Sequence, residues 1–261
     1  MKPSADPKPS ATILLVRDGA RGLEVFMVQR HHQIDFATGA MVFPGGKVDA
    51  ADSDAALAAR CDRALDDALR PIHVAAIRET FEECGVLLAR PAGSRGLVPG
   101  ARLAEIEARH RAALNAGERT LREIVEQEDL TLANDLLVHF AHWITPEFMP
   151  KRFDTHFYLV AAPQDQLAVH DGGESVDSVW TRPADAEAER AAGRRTIIFP
   201  TLMQVRKLGR SDSVAAAIAA ATSAPVVSVL PHVEERGGEK MLVIPAEAGY
   251  DVTAAPLADL Q

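Results

Sequence analysis

Residues 78–86, Arg78-Glu79-Thr80-Phe81-Glu82-Glu83-Cys84-Gly85-Val86, crowd three glutamates into little more than one helical turn. Pro71 suits a first helical position and Gly85 a left-handed cap, so the spacing predicts a helix from about Pro71 to Cys84. At about 100° per residue, Val74, Ile77 and Phe81 share one stripe, and Glu79, Glu82 and Glu83 lie opposite. One face can therefore pack under a sheet while the other presents carboxylates. A solvated acidic face is the plainer reading. Against it, three like charges in one turn repel, and near a helix C-terminus they also oppose the macrodipole. A hard divalent cation removes both penalties, since magnesium takes oxygen ligands and bridges carboxylates to substrate phosphates. Arg78 lies one turn before Glu82, and its planar fork can hold a carboxylate in a fixed orientation. Cys84 reads as a small buried residue, with no neighbour to activate it as a nucleophile.

Upstream of this helix, residues 11–16 and 23–28 are apolar runs flanking the turn 17–22, a hairpin pattern. Residues 40–43 form a further strand candidate, ended by Pro44-Gly45-Gly46. Residues 53–69 read as a helix, and 101–139 are mostly helix formers. Strands are expected at 137–143, 156–162, around Val179-Trp180, at 225–230 and at 241–244, with helices over 183–192 and 200–221. Strands and helices mix without strict alternation, which favours an α+β fold with a mixed sheet and helical insertions over a doubly wound parallel one.

The chain of 261 residues is 47% hydrophobic and 25% charged, ordinary globular values that permit a core without staples. The formal charge of −9 with no long basic block argues against general nucleic-acid binding. Two cysteines make no disulfide framework, and no run approaches the roughly 20 apolar residues of a membrane helix. With a polar, Pro-rich start and no apolar leader segment, the expectation is a cytoplasmic protein without membrane association. Other constellations are absent: no Gly-x4-Gly-Lys-Ser/Thr, no Gly-x-Ser-x-Gly, no Cys-x-x-Cys and no His-Glu-x-x-His. His139 and His142, with His156 later, match no zinc motif.

Gly46, then Arg78, Glu79, Glu82, Glu83, Gly85 and Val86, together resemble the Nudix box. Asp52, with five residues between it and Gly46, stands in place of the family's glutamate, Thr80 replaces an aliphatic residue, and 18 extra residues separate Asp52 from Arg78. An interrupted box is similar to the subgroup that includes peroxisomal coenzyme A diphosphatases and bacterial relatives. Trp143-Ile144-Thr145-Pro146 and Arg152-Phe153-Asp154-Thr155 resemble that subgroup too. The resemblance implies an α/β/α sandwich: a lead-in at 1–9, a Nudix domain at 10–208 with helical insertions near 53–70 and 101–135, and an extension at 209–261 packed on the same domain.

It further implies that Glu79, Glu82 and Glu83, with the Gly46 carbonyl, hold Mg2+ or Mn2+. Glu79, Glu82, Glu83, Arg78 and the loop residue Glu174 are then the catalytic candidates. Arg30, Lys151 and Arg152 are candidates to contact substrate phosphate, with a solvated loop pair the equal alternative for Lys151-Arg152. Apart from the resemblance, His31-His32 could line the site, though a surface loop is the plainer reading, and Trp143 and Phe153 could stack on an adenine ring, though aromatics at such positions are more often core. The expected reaction is metal-dependent hydrolysis of the diphosphate bond in a nucleoside diphosphate linked to another moiety, coenzyme A or acyl-coenzyme A among the candidates. The alternatives are a non-catalytic nucleotide sensor and a nucleoside triphosphate pyrophosphohydrolase. A small-molecule substrate and a homodimer are the expected partners.

Overall fold

Strand β1 (Lys8–Gly19) sets the layering. Ile13 and Leu15 point to one side and Leu14 and Val16 to the other, all fully buried, as period-2 alternation requires of a central strand covered on both faces. In this computed structural model, residues 5–30, 39–166, 168 and 175–257 are described, with the backbone alone at Arg30, Ser175 and Val176. β1 pairs antiparallel with β2 (Gly22–Arg30) through a turn at Ala20-Arg21, and with β4 (Gly45–Lys47) along its first half. On its other side runs β8 (Phe153–Ala161), in parallel. β3 (Met41–Val42) and β9 (Ser175–Thr181) pair with β2, while β7 (Val138–Ile144) and then β10 (Ser228–Val229) extend the opposite edge. The result is an eight-stranded mixed sheet.

Helix α1 (Arg70–Cys84) lies on the first face, where Val74, Ile77 and Phe81 are fully buried against Ile13, Leu15 and Tyr158. Gly85 closes it at φ 68°, its N–H donating to the Phe81 carbonyl. The same core takes in α2 (Gly100–Asn115), α3 (Leu121–Gln127) and a small sheet of β5 (Ala89–Pro91) with β6 (Leu130–Leu132). The second face carries α4 (Pro183–Ala191), α5 (Phe199–Leu208) and α6 (Val214–Ser223). A three-stranded sheet of β11 (His232–Arg236), β12 (Glu239–Val243) and β13 (Ala254–Pro256) follows, and Leu242, Ile244 and Tyr250 join the second core.

Three expectations need correction. The lead-in is shorter than residues 1–9, because β1 already pairs with β8 at Lys8. Residues 53–69 form no α-helix. Two 3-10 turns, Ala50–Ser53 and Ala55–Arg60, precede an irregular stretch. The aspartates are the reason: Asp52 accepts from the Asp49 N–H, Asp54 from Ala56, and Asp66 from both Ala68 and Leu69, local bonds that compete with a helical ladder. Likewise 200–221 is two helices, because Ser213 caps a fresh start by accepting from the Ala216 N–H.

On α1, His73 is 5% exposed and its Nδ1 has no hydrogen-bond partner. Burial pushes its imidazole down to about 4, against a bond to the Asn134 backbone. The unfolded chain takes up this proton near the ordinary 6.5, so His73 stabilises the fold fully above that pH. Its contribution is lost as pH falls toward 4, by up to ~3 kcal/mol. Urea unfolding at stepped pH should show a shallower acid limb in His73→Leu than in the parent. Equal slopes between pH 6.5 and 4 would contradict a buried neutral imidazole.

Candidate active site

Arg78 organises the acidic helix. Its guanidinium grips Asp52 with two parallel bonds, Nε to Oδ1 and Nη2 to Oδ2, both 2.9 Å. Nη2 also donates to the Lys47 carbonyl at 2.8 Å, and Nη1 to Glu79 at 2.9 Å and Glu82 at 2.6 Å. Asp49 lies 3.8 Å away. Asp52 is 1% exposed and the Arg78 side chain 7%, so this is a buried pair with its remaining donors aimed at the site carboxylates. Burial alone would lower the guanidinium's proton affinity. The Asp52 hydrogen bonds and the charges of Glu79, Asp52 and Glu82 reverse that and hold it firmly protonated. The repulsion among glutamates read from the sequence is thus answered by a cation from their own helix. Burial also pushes the Glu82 carboxyl up, with Arg78 opposing.

The diglycine bend supplies the other wall. Gly45 has φ 154° and packs so closely on β1 that a Cβ would lie 2.3 Å from the Ala11 carbonyl oxygen. Its N–H donates to Glu83 Oε2 at 3.0 Å. At Gly46 a Cβ would fall 2.3–2.6 Å from the Glu79 carboxylate, so the missing side chain is the space that carboxylate occupies. Thr80 turns inward, fully buried, and bonds back to the Ala76 carbonyl at 2.7 Å, which reconciles a polar residue with the position of an aliphatic one.

Glu79 and Glu83 beside the backbone of Gly45-Gly46, with Glu82 joined to them through Arg78, make an all-oxygen donor set on one helical turn. That chemistry, with the Glu79 carboxylate seated against Gly46, fits a hard divalent cation. Glu83 is anchored by Gly45, and Glu79 and Glu82 share Nη1 of Arg78. Among the described residues, the one trio of His, Cys, Asp or Glu ligand atoms gathered within 4.8 Å lies elsewhere, at His142, Asp154 and His156.

The other candidates divide. Glu174 and His31-His32 lie outside the described residues, as does the side chain of Arg30. Arg152 is 9% exposed and donates to the backbone carbonyls of Thr145 and Ala5, each at 3.0 Å, so it ties the start of β8 to the N-terminal segment. Lys151 is exposed beside it. Trp143 takes the core alternative: it is 4% exposed in the second core and donates its indole N–H to Tyr250. Phe153, half-buried at the start of β8, belongs to the same strand end as Arg152. Asp52 was singled out by sequence only as a substitution in the box. Its spacing from Gly46 was the available signal, and its part as the anchor of Arg78 emerges from the structure.

Comparison with known proteins follows this geometry. The family model described as the NUDT19 Nudix domain matches residues 60–208. The human acyl-coenzyme A diphosphatase NUDT19 is 28% identical over 235 residues, covering 74% of this chain and 62% of that protein. The Gallus gallus protein of the same name is 28% identical over 207 residues, covering 62% of this chain and 55% of that protein. The chain therefore spans little more than half to three fifths of these relatives. A crystal structure of a NUDIX hydrolase from Alicyclobacillus acidocaldarius superposes with a TM-score of 0.65 at 28% identity, over 82% of this chain and 96% of that one. The expected α+β sandwich with a mixed sheet is the architecture observed. No helix among the described residues is long and apolar enough to cross a membrane.

Proposed function

This chain belongs to the Nudix family, matching its NUDT19-type domain over more than half its length, and from that premise we propose that it hydrolyses the diphosphate bond of a nucleoside diphosphate linked to another group. The observation that carries this reading is the set of Glu79, Glu82 and Glu83 on one turn of α1 against the Gly45-Gly46 bend, braced by Arg78 on Asp52. Coenzyme A and its acyl esters are the substrates we favour, because relatives named acyl-coenzyme A diphosphatase match 74% and 62% of this chain.

Glu79, Glu82 and Glu83, with the backbone of Gly46, would hold Mg2+ or Mn2+. Such an ion, when bound, neutralises phosphate oxygens and acidifies a water molecule. The protein's part is positioning. Arg78 fixes the direction of Glu79 and Glu82, and the Gly45 N–H fixes Glu83. Gly46 admits the Glu79 carboxylate against the backbone. We assign proton acceptance from the attacking water to a carboxylate of this set or to Glu174. Arg30, Lys151 and Arg152 remain our candidates for substrate phosphate, Arg152 with Nε and Nη1 already on backbone carbonyls. Cys61 and Cys84 form no disulfide with each other, which suits a reducing compartment such as the cytoplasm.

Purified protein with Mg2+ or Mn2+ should be screened against coenzyme A, acyl-coenzyme A, ADP-ribose, NADH, diadenosine polyphosphates and nucleoside triphosphates, with products resolved by mass. Two monophosphate-bearing fragments support the proposal. Pyrophosphate release points to a triphosphate pyrophosphohydrolase, and tight binding without turnover to a sensor.

A further inference from the structure

We propose a second metal site, for a borderline divalent transition ion of the Zn2+ class, held by His142, Asp154 and His156 on the sheet and separate from the carboxylate helix. One potential ligand atom from each lies within 4.8 Å of the others. Register creates the cluster. His142 on β7 is the direct cross-strand partner of His156 on β8, and Asp154 stands two residues before His156 on the same face. The two imidazoles stack with centroids 4.1 Å apart, and His142 Nε2 meets Asp154 Oδ1 in a short hydrogen bond.

The supporting hydrogen bonds are those of a prepared ligand set. His142 Nδ1 is 2.6 Å from the Ser228 hydroxyl, which directs Nε2 toward Asp154. His156 Nδ1 is 3.1 Å from His139 Nε2, which leaves His156 Nε2 for a ligand. Metal-bound imidazoles characteristically have their second nitrogen held in this way. A bulge at Phe140 explains how His139 joins: the register shifts between His139 and Ala141, so residues three apart come to the same face. Tetrahedral coordination spaces neighbouring donor atoms by roughly 3.4 Å, within reach of small side-chain rotations from the observed cluster. An ion there takes the place of the hydrogen bond between His142 and Asp154. Two imidazoles and one carboxylate favour Zn2+-class ions, whereas an oxygen-only set favours Mg2+. The Asp154 side chain is 34% exposed and gives access from solvent.

The site is distinct from the box yet aligned with it. Gly46 pairs with Ala11, Ala11 with His156, His156 with His142 and His142 with Ser228, a single row across four strand junctions. At ~4.8 Å per junction, His156 lies roughly 10 Å from Gly46 along that row.

The test uses the full chain carrying Glu79→Gln, Glu82→Gln and Glu83→Gln, so that the helix contributes no carboxylates. Equilibrium dialysis should show one Zn2+ per chain, undisplaced by millimolar-range Mg2+, and Co2+ should give ligand-field absorption of a low-coordinate site. Adding His142→Ala or Asp154→Asn should weaken Zn2+ binding by more than ~100-fold, and His139→Gln by ~10–100-fold, the cost of losing a group that only orients a ligand. Asp154→Asn keeps size and a hydrogen bond to His142, so it reports on the ion even if an alanine variant unfolds. No stoichiometric Zn2+ in the helix variant, or unchanged affinity in Asp154→Asn, overturns the site, and neither result bears on hydrolysis by the box.

Discussion

Glu82→Gln and Glu83→Gln should each cut turnover by roughly 10²–10⁴-fold, the range spanned by loss of a positioned acid–base group, while the fold stays intact. Glutamine keeps the length of the side chain and one acceptor oxygen. At position 83 that oxygen can still accept the Gly45 N–H, now at 3.0 Å. At position 82 it can still accept from Arg78 Nη1, and Arg78 retains Asp52, Glu79 and the Lys47 carbonyl. What disappears is negative charge, which is what a divalent cation and an attacking water require of the site. Steady-state kinetics with saturating Mg2+ or Mn2+, paired with thermal unfolding, separate the two effects. Near-parent turnover in both variants would remove the assignment of this helix.

The largest loss of stability is expected at Arg78. Arg78→Ala leaves Asp52 buried without its partner and Glu79 and Glu82 without their shared cation, and breaking a buried pair costs ~3–5 kcal/mol. Arg78→Lys should recover little, because one ammonium cannot reproduce a fork that reaches Asp52, Lys47, Glu79 and Glu82 together. Asp52→Asn should lie between parent and Arg78→Ala, since an amide keeps an acceptor for the guanidinium. The order of urea midpoints decides: an Arg78→Ala midpoint equal to the parent's would mean that the pair is not the brace described here.

The box was legible because its parts are local. Pro71 and Gly85 bound the helix, and the 3.6 period alone separates Val74, Ile77 and Phe81 from the glutamates. Residues 53–69 misled for a related reason. Their alanines and leucines have helical propensity, but the short aspartate side chains bond to nearby N–H groups and hold the backbone in tight turns. That difference matters at the site, since the first 3-10 turn is what buries Asp52 under Arg78.

By itself the sequence determined the carboxylate helix, its caps, its oxygen-rich chemistry and the mixed α+β layering, because all of these follow from periodicities and backbone preferences that act within a few residues. Only tertiary structure decided that Asp52 anchors Arg78 from 26 positions away, that Arg152 donates to the carbonyls of Thr145 and Ala5, and that His139, His142 and His156 meet. Those outcomes depend on strand register, one bulge and burial. Each is set by contacts between segments distant along the chain, where residue spacing carries no record of which side chains will share a face.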